Sequence, residues 1–174
     1  LQMNPHFIFN SLNSIQSFIL SKDTDQAVNY LSRFSQLMRM IMTNSTQSVI
    51  PLSDEILAVK HFLEIEQLRF DQKFSYSIEV APEIDEEFTG VPPMLIQPFI
   101  ENAIIHGLLH KESDGKITII FRKSGNFIHC TITDNGIGRK KAEEIKKQTG
   151  LNQQSKGMMI TKERLDFFNK NVND

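Results

Sequence analysis

Apolar residues recur at helical spacing in two segments at the start of the chain, which predicts two helices. The first seam lies within residues 4–20 and contains Ile8, Leu12, Ile15 and Ile19. The second contains Ala27, Leu31, Phe34, Met38 and Ile41. Between them, Asp23 and Gln26 have the spacing of a capping box. We therefore expect an antiparallel hairpin, and because two helices bury little core, a second copy should complete a four-helix bundle.

Downstream, a polar stretch without periodicity (residues 43–50) predicts a linker, and residues 53–70 predict a third helix. The buried stripe expected on that helix contains Ile56, Val59 and Leu63. Three segments have the alternation or apolar content of strands, and they cover residues 74–80, 117–122 and 127–133. The acidic residues 81–91 are expected to form a loop. These elements divide the chain into a helical hairpin, residues 1–45, and an α/β domain with a mixed sheet, residues 46–174.

Residues 92–108, PPMLIQPFIENAIIHGL, predict a helix that begins at its two prolines. Its apolar residues share one broad face. Asn102 and His106 are four residues apart on the opposite face, with Glu101 near its edge and Gly107 placed to end the helix. On this stretch alone, a half-buried surface helix explains the pattern equally well.

Composition excludes several classes of function. The net charge of −2 gives no electrostatic basis for binding nucleic acid or an anionic membrane surface. A single cysteine excludes an internal disulfide framework and fits a reducing compartment. No apolar run reaches the roughly 18–20 residues that a membrane helix needs. The chain opens within a helical pattern on a residue other than Met, so we expect it to be a fragment of a longer protein.

Two further motifs accompany the helix of residues 92–108. Residues 131–138 read TITDNGIG, a strand that runs into an aspartate followed by two glycines, and residues 155–165 read SKGMMITKERL. In this order and spacing, the three segments resemble the N, G1 and G2 boxes of the GHKL-type histidine-kinase ATPase domain. The resemblance implies a two-layer α/β sandwich that binds ATP and Mg²⁺, with residues 139–156 as a mobile lid.

The resemblance also assigns roles to individual residues. It implies that Asn102 holds Mg²⁺, that Glu101 holds a metal-bound water or acts as a base, and that His106 contacts a phosphate. Asp134 would accept a hydrogen bond from the adenine amino group, while Gly136 and Gly138 let the loop approach the base. The remaining residues that the resemblance assigns to ATP binding are Gly107, Gly157 and Met158.

A lone histidine on a helix is usually a solvated or packed residue, but the segment around His6 has a specific pattern. Residues 3–10, MNPHFIFN, resemble the phosphoacceptor segment of the LytS/YehU-like sensor histidine kinases. By that resemblance His6 accepts the phosphoryl group, and Asn10, one turn on, positions the imidazole or a water. Other histidine-kinase classes have an acidic residue directly after the histidine, where this chain has Phe7.

The resemblance therefore implies an ATP-dependent autokinase that phosphorylates His6 and passes the phosphoryl group to an aspartate of a response regulator. It implies a homodimer, and a cytoplasmic domain of a bacterial protein anchored in the membrane, with no contact of its own to membrane or nucleic acid. Two alternatives remain at this stage. One is a non-catalytic ATP-binding interaction module, and the other is a relative that hydrolyses ATP without forming phosphohistidine.

Overall fold

The computed structural model describes residues 5–111, 113–138 and 165 of the chain. Within these residues the fold is α+β. The helices are α1 (Pro5–Leu20), α2 (Thr24–Asn44), α3 (Leu52–Arg69) and α4 (Gln97–Ala103), and α4 continues into a π-helix (Ile104–Leu108). The strands are β1 (Ile50–Pro51), β2 (Phe74–Val80), β3 (Gly90–Val91), β4 (Gly115–Ser124) and β5 (Phe127–Asp134). The expected lid (139–156) and, apart from Leu165, the segment that resembles the G2 box (155–165) lie outside the described residues.

The predicted hairpin of α1 and α2 is confirmed. Asp23 caps α2 by accepting the backbone N–H of Gln26 at 3.1 Å, and the Gln26 side chain donates to the second carboxylate oxygen at 2.7 Å. The face of α1 that is buried within the chain, however, lies beside the predicted seam. Phe7 is buried, whereas Leu12 and Ile19 are 50% and 62% exposed.

The buried face of α1 differs from the predicted one because helix α3 covers the hairpin on the Phe7 side. The Phe7 ring lies 5.1 Å from the ring of Phe62 on α3, and Arg33 of α2 forms an ion pair with Glu64 of α3. The predicted stripe of α3 is buried, as expected, but burial extends around the helix to Phe62 and Ile65. Helix α3 is therefore packed on more than one side and carries residues of a core shared by the hairpin and the sheet.

The three predicted strands form one mixed sheet in the order β2–β4–β5. β2 is parallel to β4, and β4 is antiparallel to β5. The alternation along β4 buries Ile117, Ile119 and Phe121 in the shared core. The antiparallel β1–β3 pair was not predicted, because strands of two residues carry no readable periodicity.

Two predicted boundaries are wrong. Ile50, expected to end a polar linker, is buried and pairs with Val91 in the β1–β3 ladder, so the link between α2 and the rest of the chain is shorter than expected. The helix expected from residue 92 begins at Gln97. Met94 has a positive φ of 57°, which is incompatible with a right-handed helix at that position.

None of the helices in the described part of the chain combines the length and the apolar character needed to cross a lipid bilayer.

Candidate functional site

His6 lies near the start of α1, and its side chain is exposed. The amide Nδ2 of Asn10, one turn further along, is 3.1 Å from Nδ1 and 3.3 Å from Nε2 of the imidazole. Asn10 therefore contacts the ring, but its position does not select one ring nitrogen. The tautomer of His6 decides which nitrogen can accept the hydrogen bond and which carries the proton.

The polar stripe of α1 forms one wall of an open groove of about 430 Å³. This wall contains His6, Asn10, Asn13, Ser14 and Ser17. The opposite side is formed by the end of α3 and by the helix that resembles the N box, through Arg69, Phe70, Ile105 and Leu109. We call this the His6 groove. It brings the expected phosphoacceptor segment and the expected ATP-binding helix to one place, which sequence spacing alone could not establish.

An ion pair that the sequence analysis missed lies at the α3 side of the His6 groove. Arg69 Nη2 is 2.9 Å from Glu66 Oε2, and the guanidinium carbon lies 4.2 Å from the centre of the Phe70 ring. Glu66 is buried among apolar neighbours of α3. The Glu66–Arg69 spacing of three residues is a recognisable signal for a helical ion pair, but it does not reveal that the pair is buried.

Glu66 has the chemistry of a buried acid. Its Oε1 is buried, and within the described residues it has no hydrogen-bond partner. Burial raises the pKa of its carboxyl from 4.5 to about 7, the Arg69 guanidinium opposes this rise, and the charge of Glu101 adds to it. The carboxylate of Glu101, on α4, is therefore close enough to Glu66 of α3 for its charge to raise the Glu66 pKa.

A second buried acid of α3, Glu55, determines where α4 begins. Its carboxylate accepts the backbone N–H groups of Met94 at 2.8 Å, Leu95 at 2.8 Å and Ile96 at 3.1 Å. These donors precede the first turn of α4, where the free N–H groups of a helix start favour a negative charge. Glu55 thus fixes the entry to the helix that carries Glu101 and Asn102.

After Ala103 the helix widens. The backbone N–H of Leu109 bonds to the carbonyl of Ile104 at 3.0 Å, an i→i+5 bond of the π type. Gly107, expected to end the helix, instead lies inside this π-helix. The wider turn changes the angular relation between Asn102 and His106, which a regular helix would have placed on one face. Both side chains are half-buried.

The π-helix contacts the loop after β5, and two glycines make this approach possible. A Cβ on Gly136 would lie 2.5 Å from the Cα of Gly107, and one on Gly107 would lie 2.9 Å from Asp134 Oδ1. Asp134 Oδ1 accepts the Gly136 N–H at 2.9 Å, and the Ile137 N–H bonds to the Gly107 carbonyl at 3.2 Å. The first two motifs are therefore in direct contact.

Asn135 holds the base of the same loop and was not singled out from the sequence. The side-chain Oδ1 of Asn135 accepts the Lys116 backbone N–H at 2.7 Å, and the backbone N–H of Asn135 donates to the Lys116 carbonyl at 3.2 Å. These bonds tie the loop to the start of β4. Gly138 has a φ of +79°, which suits glycine. Gly157 and Met158, the residues predicted from the third motif, lie outside the described residues.

Five of the predicted site residues thus fall into two groups. His6 and Asn10 line the His6 groove, while Gly107, Asp134 and Gly136 meet at the π-helix. Their roles in phosphoryl transfer and ATP binding stay predictions.

Comparison with known proteins gives consistent matches. A family model described as histidine kinase matches residues 1–74. The chain is 38% identical to the sensor protein LytS of Oceanobacillus iheyensis over 137 residues, which are 79% of this chain and 23% of that protein. It is 36% identical to the sensor histidine kinase YpdA of Escherichia coli over 139 residues, 79% of this chain and 24% of that protein. The chain therefore spans about a quarter of the length of these two relatives.

Proposed function

The chain belongs to the LytS-like histidine kinase family, and on that premise we propose that it is the phosphoacceptor and ATP-binding part of a sensor kinase that phosphorylates its own His6. The observation that carries this proposal is the His6 groove, because its two walls are the helix of His6 and the helix that resembles the ATP-binding N box. In this proposal, the phosphoryl acceptor and the nucleotide lie on neighbouring surfaces.

The ATP end of the proposal rests on the contact between the π-helix and the loop after β5. Asp134 uses Oδ1 for the Gly136 N–H. Its Oδ2 suits an adenine amino group, and the side chain is exposed. In the proposed GHKL-type sandwich, the sheet and the helices on its inner face form the two layers.

In the proposed reaction, an unprotonated ring nitrogen of His6 attacks the γ-phosphorus of ATP. A nitrogen–phosphorus bond forms, the bond between the γ-phosphorus and the β,γ-bridging oxygen breaks, and ADP leaves with the electron pair of that bond. The ring proton passes to solvent. In a second step a carboxylate oxygen of a response-regulator aspartate bonds to phosphorus, and the nitrogen–phosphorus bond breaks. The ring nitrogen keeps the electron pair of that bond and takes up a proton from solvent, which restores neutral His6.

Phosphoryl transfer depends mainly on positioning and charge neutralisation, which Mg²⁺ supplies when it is bound with ATP. Mg²⁺ prefers oxygen ligands and retains several waters. The amide oxygen of Asn102 and the carboxylate of Glu101 are oxygen donors of this kind, on adjacent half-buried residues of α4. This donor set fits Mg²⁺, and we propose that Asn102 is the direct ligand.

His6→Gln tests the proposal, because glutamine keeps polarity and similar size but lacks the nucleophilic ring nitrogen. With radiolabelled ATP, the parent should acquire a label that is lost in acid and survives base, as a phosphoramidate does. His6→Gln should acquire none, while its ATP affinity and folding stay close to those of the parent. His129→Gln replaces an exposed histidine of β5 and is the matched control. Acid-labile labelling of His6→Gln at the parent rate would contradict the proposal.

A further inference from the structure

The charges that line the His6 groove are unevenly distributed. Arg69 is the one permanently charged side chain among the residues that form the groove. The α1 wall is neutral apart from the titratable His6, and the π-helix contributes Ile105 and Leu109. A phosphoryl group attached to His6 would bring a charge of about −1.5 to −2 into this partly enclosed space near neutral pH. A negative charge in this space needs a cation nearby, and among the lining residues the guanidinium of Arg69 is such a cation.

The hydroxyl nearest to Asn10 along the stripe is already engaged. Ser14 Oγ donates to the Asn10 backbone carbonyl at 3.0 Å, so its proton faces α1 rather than the groove. The Asn10 amide contacts the His6 ring. Neither group carries a charge, and hydrogen bonds from charged donors to phosphate are about twice as strong as neutral ones. Arg69 is therefore the strongest phosphate-binding group that the groove contains.

Arg69 is also held in place before any phosphoryl group arrives. The Glu66 carboxylate contacts Nη2, and the Phe70 ring supports the guanidinium face. A guanidinium has five N–H donors, so Nε and Nη1 are further donor groups beyond the atom that contacts Glu66. The Arg69 side chain is 11% exposed and Arg69 lines the groove, whereas the Glu66 side chain is 3% exposed and Glu66 does not line it.

From this arrangement we propose that Arg69 is the phosphoryl-binding residue of the His6 groove, with Glu66 as the positioning residue that holds its guanidinium towards His6. The inference rests on the proposed phosphorylation of His6 and deepens it. Arg69 would act through charge-assisted hydrogen bonds to the phosphoryl oxygens, which favour the dianionic form of the phosphohistidine.

The test avoids ATP, so that it does not depend on kinase activity. Phosphoramidate phosphorylates histidine chemically: the ring nitrogen attacks phosphorus, the bond from phosphorus to the amino nitrogen breaks, ammonia leaves, and the ring proton passes to solvent. The phosphorus NMR signal that is absent from His6→Gln identifies phospho-His6. Its titration with pH then reports the second pKa of the phosphoryl group, which lies near 6 in ordinary phosphorylated side chains.

In the parent, Arg69 should lower the proton affinity of the phosphoryl group about tenfold relative to Arg69→Gln. The phosphoryl pKa of the parent should therefore be about one unit lower than that of the variant. Arg69→Lys should recover part of the difference, because it keeps the charge without the planar fork. Arg122→Gln, on the exposed face of β4, is the matched control and should titrate like the parent. A purely structural role for Arg69 would not move this pKa.

Arg69→Gln leaves the buried Glu66 without its cation, so the double variant E66Q/R69Q serves if the single variant does not fold. It replaces both side chains with neutral amides, which keep hydrogen-bonding capacity. The parent protein gives a measurement that needs no variant of the pair, because the Arg69 Nε resonance should shift when His6 is phosphorylated. An unchanged phosphoryl pKa in a folded Arg69 variant, or an unmoved Arg69 resonance in the parent, overturns the inference. Failure of ATP labelling with an intact Arg69 effect would instead count against the kinase proposal alone.

Discussion

Glu66 is an acid whose environment opposes its charge. Burial is the dominant cause, and the nearby Glu101 carboxylate adds to it, while Arg69 compensates in part. The folded protein therefore holds the Glu66 proton up to a pKa of about 7, whereas the ordinary value is 4.5. Between these two pH values the folded state binds a proton that the unfolded state has released. The contribution of Glu66 to stability is thus fully present below pH 4.5 and declines as the pH rises to about 7.

Replacing Glu66 with Gln should remove this pH dependence. The pKa difference corresponds to a loss of roughly 3 kcal/mol of unfolding free energy between the two pH values, since each unit contributes about 1.4 kcal/mol. Urea denaturation of the parent and of Glu66→Gln across this range should give a smaller decline for the variant. Glu79→Gln, an exposed position on β2, should keep the parent slope. Equal slopes in the parent and Glu66→Gln would mean that Glu66 is already ionised in the folded state.

At the scale of elements, the start of α4 depends on one side chain of another helix. The sequence predicted its apolar face, but it placed the start of the helix at the prolines of residues 92 and 93. The actual start at Gln97 follows from the positive φ of Met94 and from the carboxylate of Glu55, which binds three backbone N–H groups. A local pattern cannot reveal such a bond, because its partners are some forty residues apart in the chain.

Glu55→Gln should destabilise the protein by about 2–3 kcal/mol, the range for losing hydrogen bonds to a charged acceptor. The amide offers one acceptor oxygen in place of two, and its NH₂ group would face backbone donors. Chemical denaturation measures the loss. Asp54→Asn changes the adjacent, exposed carboxylate of α3 and should have an effect within about 0.5 kcal/mol. Equal losses in the two variants would contradict the role assigned to Glu55.

In the whole molecule, the hairpin is joined to the sheet by α3 through a continuous core. Phe7, directly after the proposed phosphoacceptor, is 2% exposed, and its ring centre lies 6.1 Å from that of Phe34 and 5.1 Å from that of Phe62. The side chain that follows His6 thus anchors the helix to α3. This contact keeps the polar stripe of α1 against the far wall of the His6 groove.

Phe7→Ala should therefore cost about 3–5 kcal/mol of unfolding free energy, the range for truncating a buried aromatic side chain. Phe9→Ala provides a matched control on the same helix, because Phe9 is 64% exposed. Thermal or urea denaturation should show a large loss for the first variant and little change for the second. Similar losses would mean that the hairpin is not docked on α3 through Phe7.

The sequence predicted the elements better than it predicted their contacts. The alternation along β4 and the capping pair of Asp23 and Gln26 are local signals, and both are confirmed. The apolar seam of α1 predicted that this segment is a helix, and it predicted the buried face only approximately. Whether Phe7 or Leu12 faces the core depends on where α3 lies. The burial of Glu55 and Glu66 could not be foreseen for the same reason, because an acid on a helix is normally solvated.

The mixed sheet has a consequence for the order in which the protein folds. β4 and β5 are joined by a tight turn at Gly125, whereas the parallel pairing of Phe74 with Gly115 can form only after the intervening chain, with α4 and the π-helix, has been brought round. Closing the longer loop costs more chain entropy, and non-local pairings of this kind slow folding. We therefore expect the sheet to grow from its β4–β5 side, with β2 joining afterwards. Asp134, at the end of β5, belongs to the part of the chain that can form early.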